Sequence, residues 1–296
     1  VTHTAPFDTP AAPEAPAARK PLDSEIDVYG LTHAGLVRKD NQDNFLVATL
    51  HKRVDVKCSS LAGSDIATSA DERLAFIAMV ADGVGGAEHG ETASRLAVES
   101  ATQYVTQAVR CFYGADADEE SLTDTLQEAA RSAHDNVKQQ AASADSRSMA
   151  TTLTLFLGVW PWIYVLQVGD SRCYVLRQGT LAQLTRDQTM AQELIDLGVL
   201  KPTDAQHARL SHVLSSAIGG HSTAPKVTRL AAEWGNVHLL CSDGLTRHVS
   251  DEEIQSILVD MTSAQQACET LRDLALQRGG SDNISIVIGR AVSARS

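Results

Sequence analysis

The chain has 296 residues, 25 basic against 37 acidic, for a formal charge of −12 with histidine neutral. An apolar fraction of 43% supplies a large core and rules out a disordered, collagen-like or disulfide-built chain. The acidic balance and an aromatic content of 4% argue against a duplex-binding face or a stacked-base platform, so no nucleic-acid partner is expected.

Residues 1–22 hold five of the eight prolines and six alanines, the composition of an extended, poorly ordered tail, and lack the apolar stretch of a signal peptide. We assign this tail to 1–22 and one folded domain to 23–296. Strands are expected over 28–33 and 44–50, followed by a long polar loop over 55–72. Residues 74–81 form a continuous apolar run of strand length that stops at Asp82-Gly83. Positions 97, 101, 104, 105, 108 and 112 then mark one face of a helix over 91–112, and a second helix fits 119–140.

Residues 148–169 carry no charge and are long enough to cross a membrane. Pro161 at their centre and Thr151, Thr152 and Thr154 near their start argue instead for a buried hairpin, with strands over 151–159 and 162–169 and no membrane span. A strand over 173–177 runs into a Gln178-Gly179 turn. A helical segment near 187–198 leads into an irregular stretch, 199–224, and strands follow over 226–232 and 236–242. Ser250 with Glu253 and Ser263 with Gln266 have capping-box spacing, so two helices start there. The second stops at Gly279-Gly280, and 283–289 is the closing strand. Strands that come in groups point to an α+β fold with antiparallel sheets.

Five cysteines, at positions 58, 111, 173, 241 and 268, include no C-x-x-C pair, which indicates buried thiols in a reducing compartment and no structural zinc. The informative pattern is four aspartates at strand ends. Asp82 follows AFIAMVA, Asp170 follows IYVLQVG, Asp243 follows VHLLCS and Asp282 precedes NISIVIG. One such aspartate is ordinarily a turn former. Four of them would crowd like charges at one sheet edge unless a cation neutralises them, and an all-oxygen donor set selects a hard ion, Mg2+ or Mn2+. Two such ions would activate water and stabilise displacement at phosphorus.

The segments Arg38-Lys39-Asp40-Asn41-Gln42-Asp43, Asp82-Gly83-Val84-Gly85-Gly86, Gly169-Asp170-Ser171-Arg172, Ser242-Asp243-Gly244-Leu245 and Asp282-Asn283 occur in the order seen in protein phosphatase 2C-like enzymes. Over about 28–292 the chain resembles a bacterial member of these metal-dependent serine/threonine phosphatases. The resemblance implies a β-sandwich of two antiparallel sheets flanked by α-helices on both sides, in four αββα layers. It implies Asp82 bridging two Mn2+ or Mg2+ ions, the Gly83 carbonyl on the second, and Asp243 and Asp282 on the first. Asp43 would act through metal-bound waters, and Asp170 would mark a third, weaker site. Arg38 matches the arginine that grips the substrate phosphate, a task its planar fork suits. Hydrolysis of phosphoserine and phosphothreonine by a metal-bridging hydroxide follows. The expected partners are phosphorylated proteins, a serine/threonine kinase and its substrates, acted on by a cytoplasmic monomer.

Some positions depart from the family pattern. Val84 stands where eukaryotic relatives carry a histidine proposed as general acid, Gln42 where many have glutamate, and Met149-Ala150-Thr151-Thr152 replaces Met-Gly-Thr-Thr. The 187–224 region resembles the variable flap, with serine in residues 214–219 where arginine is frequent.

Rival readings are weaker. The C-x5-R spacing from Cys241 to Arg247 fits a cysteine phosphatase, but Asp243 inside that loop would repel both thiolate and phosphate. His207, His212 and His221 lack the helical pairing of a zinc site, and the Asn283-Ile284-Ser285 sequon falls in a closing strand. A catalytically weak pseudophosphatase, kept as a regulatory or phosphopeptide-binding module, would lack the metal aspartates, and here all are present.

Overall fold

Strand residues alternate between two faces, and in this chain both faces of the central strands find apolar partners. The computed structural model describes residues 19–52, 72–85, 87–112, 119–144, 149–201 and 210–292. The expected loop over 55–72 lies almost wholly outside them, as do residues 1–18 of the tail. Residues 19–22 are described: the Arg19 guanidinium grips Glu25 at 2.5 and 2.7 Å, and the Lys20 ammonium reaches the Arg73 carbonyl.

Two five-stranded sheets, antiparallel throughout, form the frame. One runs β1 (Ile26–His33), β12 (Ile284–Ala291), β11 (Val237–Cys241), β8 (Arg172–Arg177), β9 (Thr180–Gln183). The other runs β10 (Lys226–Ala231), β7 (Trp162–Val168), β6 (Leu153–Val159), β3 (Glu72–Ala81), β2 (Asn44–Lys52). A short ladder pairs β4 (Gly83–Val84) with β5 (Ala150–Thr151). Ala78 and Val80 of β3, Phe156 of β6, Val165 of β7, Leu240 of β11 and Val287 of β12 interdigitate between the sheets.

Odd-numbered residues of β3 and β6, Ile77, Met79, Leu153, Leu155 and Leu157, turn the other way. They pack under α1 (Ala87–Phe112) and α2 (Glu119–Ser143), whose Ala97, Ala101, Val105, Leu126 and Ala133 cover them. On the far face Leu239, Ile286 and Ile288 pack under α5 (Asp251–Val259) and α6 (Ala264–Gln277). The layers are αββα, as expected. The charge-free 148–169 segment is the β6–β7 hairpin, paired from Leu153↔Val168 to Val159↔Trp162. Among the described residues no helix is long and apolar enough to cross a membrane.

Local differences from expectation have local causes. Gln178 and Gly179 both adopt positive φ (51° and 81°), so the anticipated turn closes a hairpin whose return strand, β9, was not foreseen. The helix expected near 187–198 is only α3 (Met190–Asp196), capped by the Thr189 hydroxyl, which accepts from the Gln192 N–H. Ser250 and Glu253 form a full capping box. Ser263 caps the Gln266 N–H, but the Gln266 side chain accepts from the Thr262 N–H instead, so this box is half made.

Candidate active site

The strand registers carry the sequence-predicted aspartates to one rim. Asn44, the first residue of β2, pairs with Ala81, the last of β3, which sets Asp43 beside Asp82. Ile284 opens β12 opposite His33, and Cys241 closes β11 between Ile286 and Arg172, which brings Asp282, Asp243 and Asp170 to the same end. Asp243 opens a short helix, α4 (Asp243–Thr246).

Each carboxylate has its own support. The Asp82 backbone is clamped by Thr151, the last residue of β5, and by Thr152 just after it: its N–H donates to Thr152 Oγ1 at 2.9 Å, and its carbonyl accepts from the Thr152 N–H and the Thr151 hydroxyl at 2.9 and 2.8 Å. Asp43 is 4% exposed and accepts from the Ser242 hydroxyl at 2.7 Å. Asn283 staples the 34–43 loop to β12. Its carbonyl oxygen accepts from the Gln42 N–H, and its amide donates to the carbonyls of Ala34 and Asp40, all within 3.0 Å. Buried and so engaged, the sequon asparagine is a structural pin.

The two Asp-Gly pairs need glycine for close approach. A Cβ on Gly83 would lie 2.3 Å from the Gly90 carbonyl oxygen, and one on Gly244 would lie 1.9 Å from that of Asn283. The second glycine locks the α4 turn against the strand that follows Asp282.

The cluster is electrostatically frustrated. Burial, then the charges of Asp43, Asp243, Asp170 and Asp282, hold the Asp82 carboxyl well above the usual range. Burial, partly offset by the Ser242 hydroxyl, pushes Asp43 up to about 7, and burial with neighbouring Asp243 and Asp187 pushes Asp170 up to about 8. Burial raises Asp243 as well, against the pull of Arg247. Asp43 Oδ1 and Asp243 Oδ1 are buried without a hydrogen-bond partner among the described residues. Buried oxygens of this kind, on carboxylates that repel one another, are the donor set a hard divalent cation would satisfy.

Two arginines already reach in. Arg38 holds Asp282 with both arms of its fork, Nε at 2.8 Å and Nη2 at 2.9 Å, with 55% of its side chain exposed at the rim. Arg247 bridges Asp282, at 2.8 Å, and Asp243. Among the described residues no three carboxylate, imidazole or thiolate groups stand in a finished ligating arrangement. The carboxylates are gathered, but Asp243 and Asp282 are directed partly to guanidinium groups. Arg247, the clamps Thr151 and Thr152, and the pins Ser242 and Asn283 were not picked out as site residues from sequence. The available signals were the Met-Ala-Thr-Thr segment for the threonines and the Ser242-Asp243 and Asp282-Asn283 segments for the pins.

The other sequence-stated candidates fall into place. Cys241 is fully buried in β11 and burial pushes its thiol up to about 12, which excludes a thiolate nucleophile there. Val84 is 43% exposed. His212 and His221 are exposed, and His207 lies outside the described residues. In the flap-like region Ser216 is buried and its hydroxyl accepts from the Ala224 N–H, so it braces the loop from within. Arg172 is likewise structural: it pairs with Asp187 at 2.6 Å and with the Tyr174 hydroxyl, which donates to Asp251.

Comparison with known proteins agrees with this arrangement. The sequence profile described as protein phosphatase 2C matches residues 63–277. The serine/threonine protein phosphatase PstP of Mycobacterium tuberculosis is 34% identical over 216 residues, 72% of this chain and 40% of that protein, so the match spans two-fifths of PstP. The serine/threonine phosphatase stp of Listeria monocytogenes is 30% identical over 72% of this chain and 83% of its own. The crystal structure of the PstP catalytic domain in complex with two manganese ions superposes with a TM-score of 0.69 at 28% identity, covering 90% of this chain and 99% of that one. A profile match over most of the chain and a rim built from the aspartates that carried the sequence resemblance lead to one conclusion: the chain belongs to the protein phosphatase 2C family.

Proposed function

We propose that this chain hydrolyses phosphoserine and phosphothreonine on proteins with Mn2+ or Mg2+ held at the aspartate rim. The observation that carries the reading is the cluster of five aspartates, Asp43, Asp82, Asp170, Asp243 and Asp282, with buried oxygens on Asp43 and Asp243 that find no partner among the described residues. The two manganese ions of the PstP catalytic domain support it.

Asp82, the Gly83 carbonyl, Asp243 and Asp282 would hold the ions, with Asp43 alongside and Asp170 for a third. When bound, divalent ions supply an activated water at neutral pH and stabilise charge developing at phosphorus. The chain's own groups do the rest. Thr151 and Thr152 fix the Asp82 backbone, so its carboxylate is held without reorganisation. Arg38, exposed at the rim, is within reach of a substrate and offers a planar fork to two phosphoryl oxygens. Val84 has no proton to give, so the leaving oxygen is not protonated from that position.

In the same reading the substrates are phosphoproteins of a serine/threonine kinase circuit in the cytoplasm, residues 23–296 are the catalytic domain, and the chain works as a monomer. Hydrolysis of p-nitrophenyl phosphate and of a phosphothreonine peptide tests the reading. Activity is expected with Mn2+, loss with EDTA, and loss in Asp243→Asn. Full turnover in EDTA or in that variant would overturn it.

A further inference from the structure

The far end of the sandwich, where β6 and β12 finish and β7 and β11 begin, holds a cavity of about 120 Å³ between the sheets. Phe76, Phe156, Trp162, Leu240 and Val287 wall it, and none of the rim aspartates touches it. Its cause is legible in two inward strand positions that carry glycine, Gly158 opposite Phe76 and Gly289 opposite His238. Close packing does not demand glycine at either. At Gly30 an added Cβ would lie 2.6 Å from the Phe45 ring, whereas at Gly158 and Gly289 the nearest atoms would be 3.4 and 3.5 Å away, ordinary contact. A strand glycine that leaves room of this kind marks a place where another group approaches.

His238 supplies the polar feature. It lines the cavity at 8% exposure, its ring centroid 5.0 Å from that of Phe156, and its Nε2 is buried with no hydrogen-bond partner among the described residues. A buried nitrogen left so calls for a partner that the described residues do not provide. Burial holds the ring neutral, pushing it down to about 4, so at neutral pH the imidazole offers one donor and one acceptor. At the mouth Arg73 is engaged by Asp23, Arg290 by Asp27 and Glu233 by Arg177, and the Lys20 ammonium donates to the Arg73 carbonyl, which leaves little to recruit a charged molecule. An apolar cavity of about 150 Å³ accepts benzene, so this one is ring-sized.

We propose that this end of the sandwich binds one neutral molecule of aromatic-ring size bearing a hydroxyl group, which hydrogen-bonds His238 while the ring packs among Phe76, Phe156 and Trp162. Phenol and toluene are the probes, followed on the full chain by isothermal titration calorimetry and by tryptophan fluorescence, since Trp160 and Trp162 both line the cavity. Phenol is expected to bind saturably at one site, and toluene roughly fivefold or more weaker for want of one hydrogen bond. His238→Phe should abolish that preference. Gly289→Val, whose Cβ fits without conflict, should fill the space and abolish binding of both while circular dichroism and melting stay native.

No saturable binding, equal affinity for the two probes, or unchanged binding in Gly289→Val would each overturn the proposal. Phe7→Ala separates a free ligand from the chain's own tail as occupant. Equal phenol affinity supports the free ligand, and tighter binding in the variant shows that the tail fills the cavity and overturns it.

Discussion

Arg247 stands where a cation is expected to go, and replacing it with glutamine should make the protein bind Mn2+ more tightly. Its guanidinium holds Asp282 at 2.8 Å and also holds Asp243, the two carboxylates assigned to one ion. With 29% of the side chain exposed, each charge-assisted contact falls near the lower end of its range, about 1.5 kcal/mol, or about 3 kcal/mol for the pair. An ion that takes both carboxylates must displace those contacts, and Arg247→Gln removes most of that penalty and the repulsion between guanidinium and metal. The dissociation constant should therefore fall by about 10- to 100-fold. The metal-free variant should also be destabilised, because buried carboxylates that repel one another lose their internal counter-charge. Calorimetric titration of Mn2+ into EDTA-stripped protein reads the first effect and thermal melting of stripped protein reads the second. Equal or weaker Mn2+ affinity in Arg247→Gln would refute the reasoning and put Arg247 alongside the ions instead of in their place.

Other outcomes follow from the same geometry. Ser242→Ala removes the donor to Asp43 and strands the Ser285 N–H, which the Ser242 oxygen accepts at 2.9 Å. The cost should be about 3 kcal/mol, a drop in melting temperature of about 5–10 °C. Gly244→Ala drives a Cβ into the Asn283 carbonyl between Asp243 and Asp282, and turnover with Mn2+ should fall by about 100-fold or more as those carboxylates shift. Cys241→Ala should leave turnover and iodoacetamide resistance unchanged, since a buried thiol pushed up to about 12 takes no part.

The pH dependence of the metal-free protein should be inverted from the usual acid sensitivity. Asp43, Asp82 and Asp170 have folded pKa values raised above the unfolded range, so the folded state binds the extra protons. Stability is greatest below that window and is lost as pH rises through about 7 to 8. Melting of EDTA-stripped protein should drop between pH 6 and 8.5, and saturating Mn2+ should flatten the curve.

What could be read from sequence was whatever a local pattern encodes. The apolar runs ending in Asp82, Asp170 and Asp243 gave strands and rim carboxylates together, because a strand that enters the core must leave it at a polar residue. The clamp of Thr151 and Thr152 on Asp82 spans about seventy residues and exists only through the β4–β5 ladder. Arg247 sits one helical turn from Asp243, a spacing that a surface pair would share, and its second partner, Asp282, is brought near only by β12 lying beside β11. The hairpin return β9 was missed because Thr180–Gln183 is too short and too polar to announce itself. The cavity was illegible for a related reason: Gly158 and Gly289 read as weak strand positions until both are known to face inward.

β12 is the last strand in the described chain, yet it lies inside its sheet, hydrogen-bonded to β1 on one side and β11 on the other. A chain emerging from synthesis must therefore keep β1 waiting, its edge open, until residues more than 250 positions later arrive to join it. Such distant pairing makes assembly slow. The helix-covered layer of β2, β3, β6, β7 and β10 can close first, and the sheet that delivers Asp243 and Asp282 comes together only when the closing strand slots in. A ribosome-bound or C-terminally clipped chain lacking β12 would carry half a sandwich, with two exposed strand edges and no complete aspartate rim, a species disposed to aggregate and unable to act before it is finished.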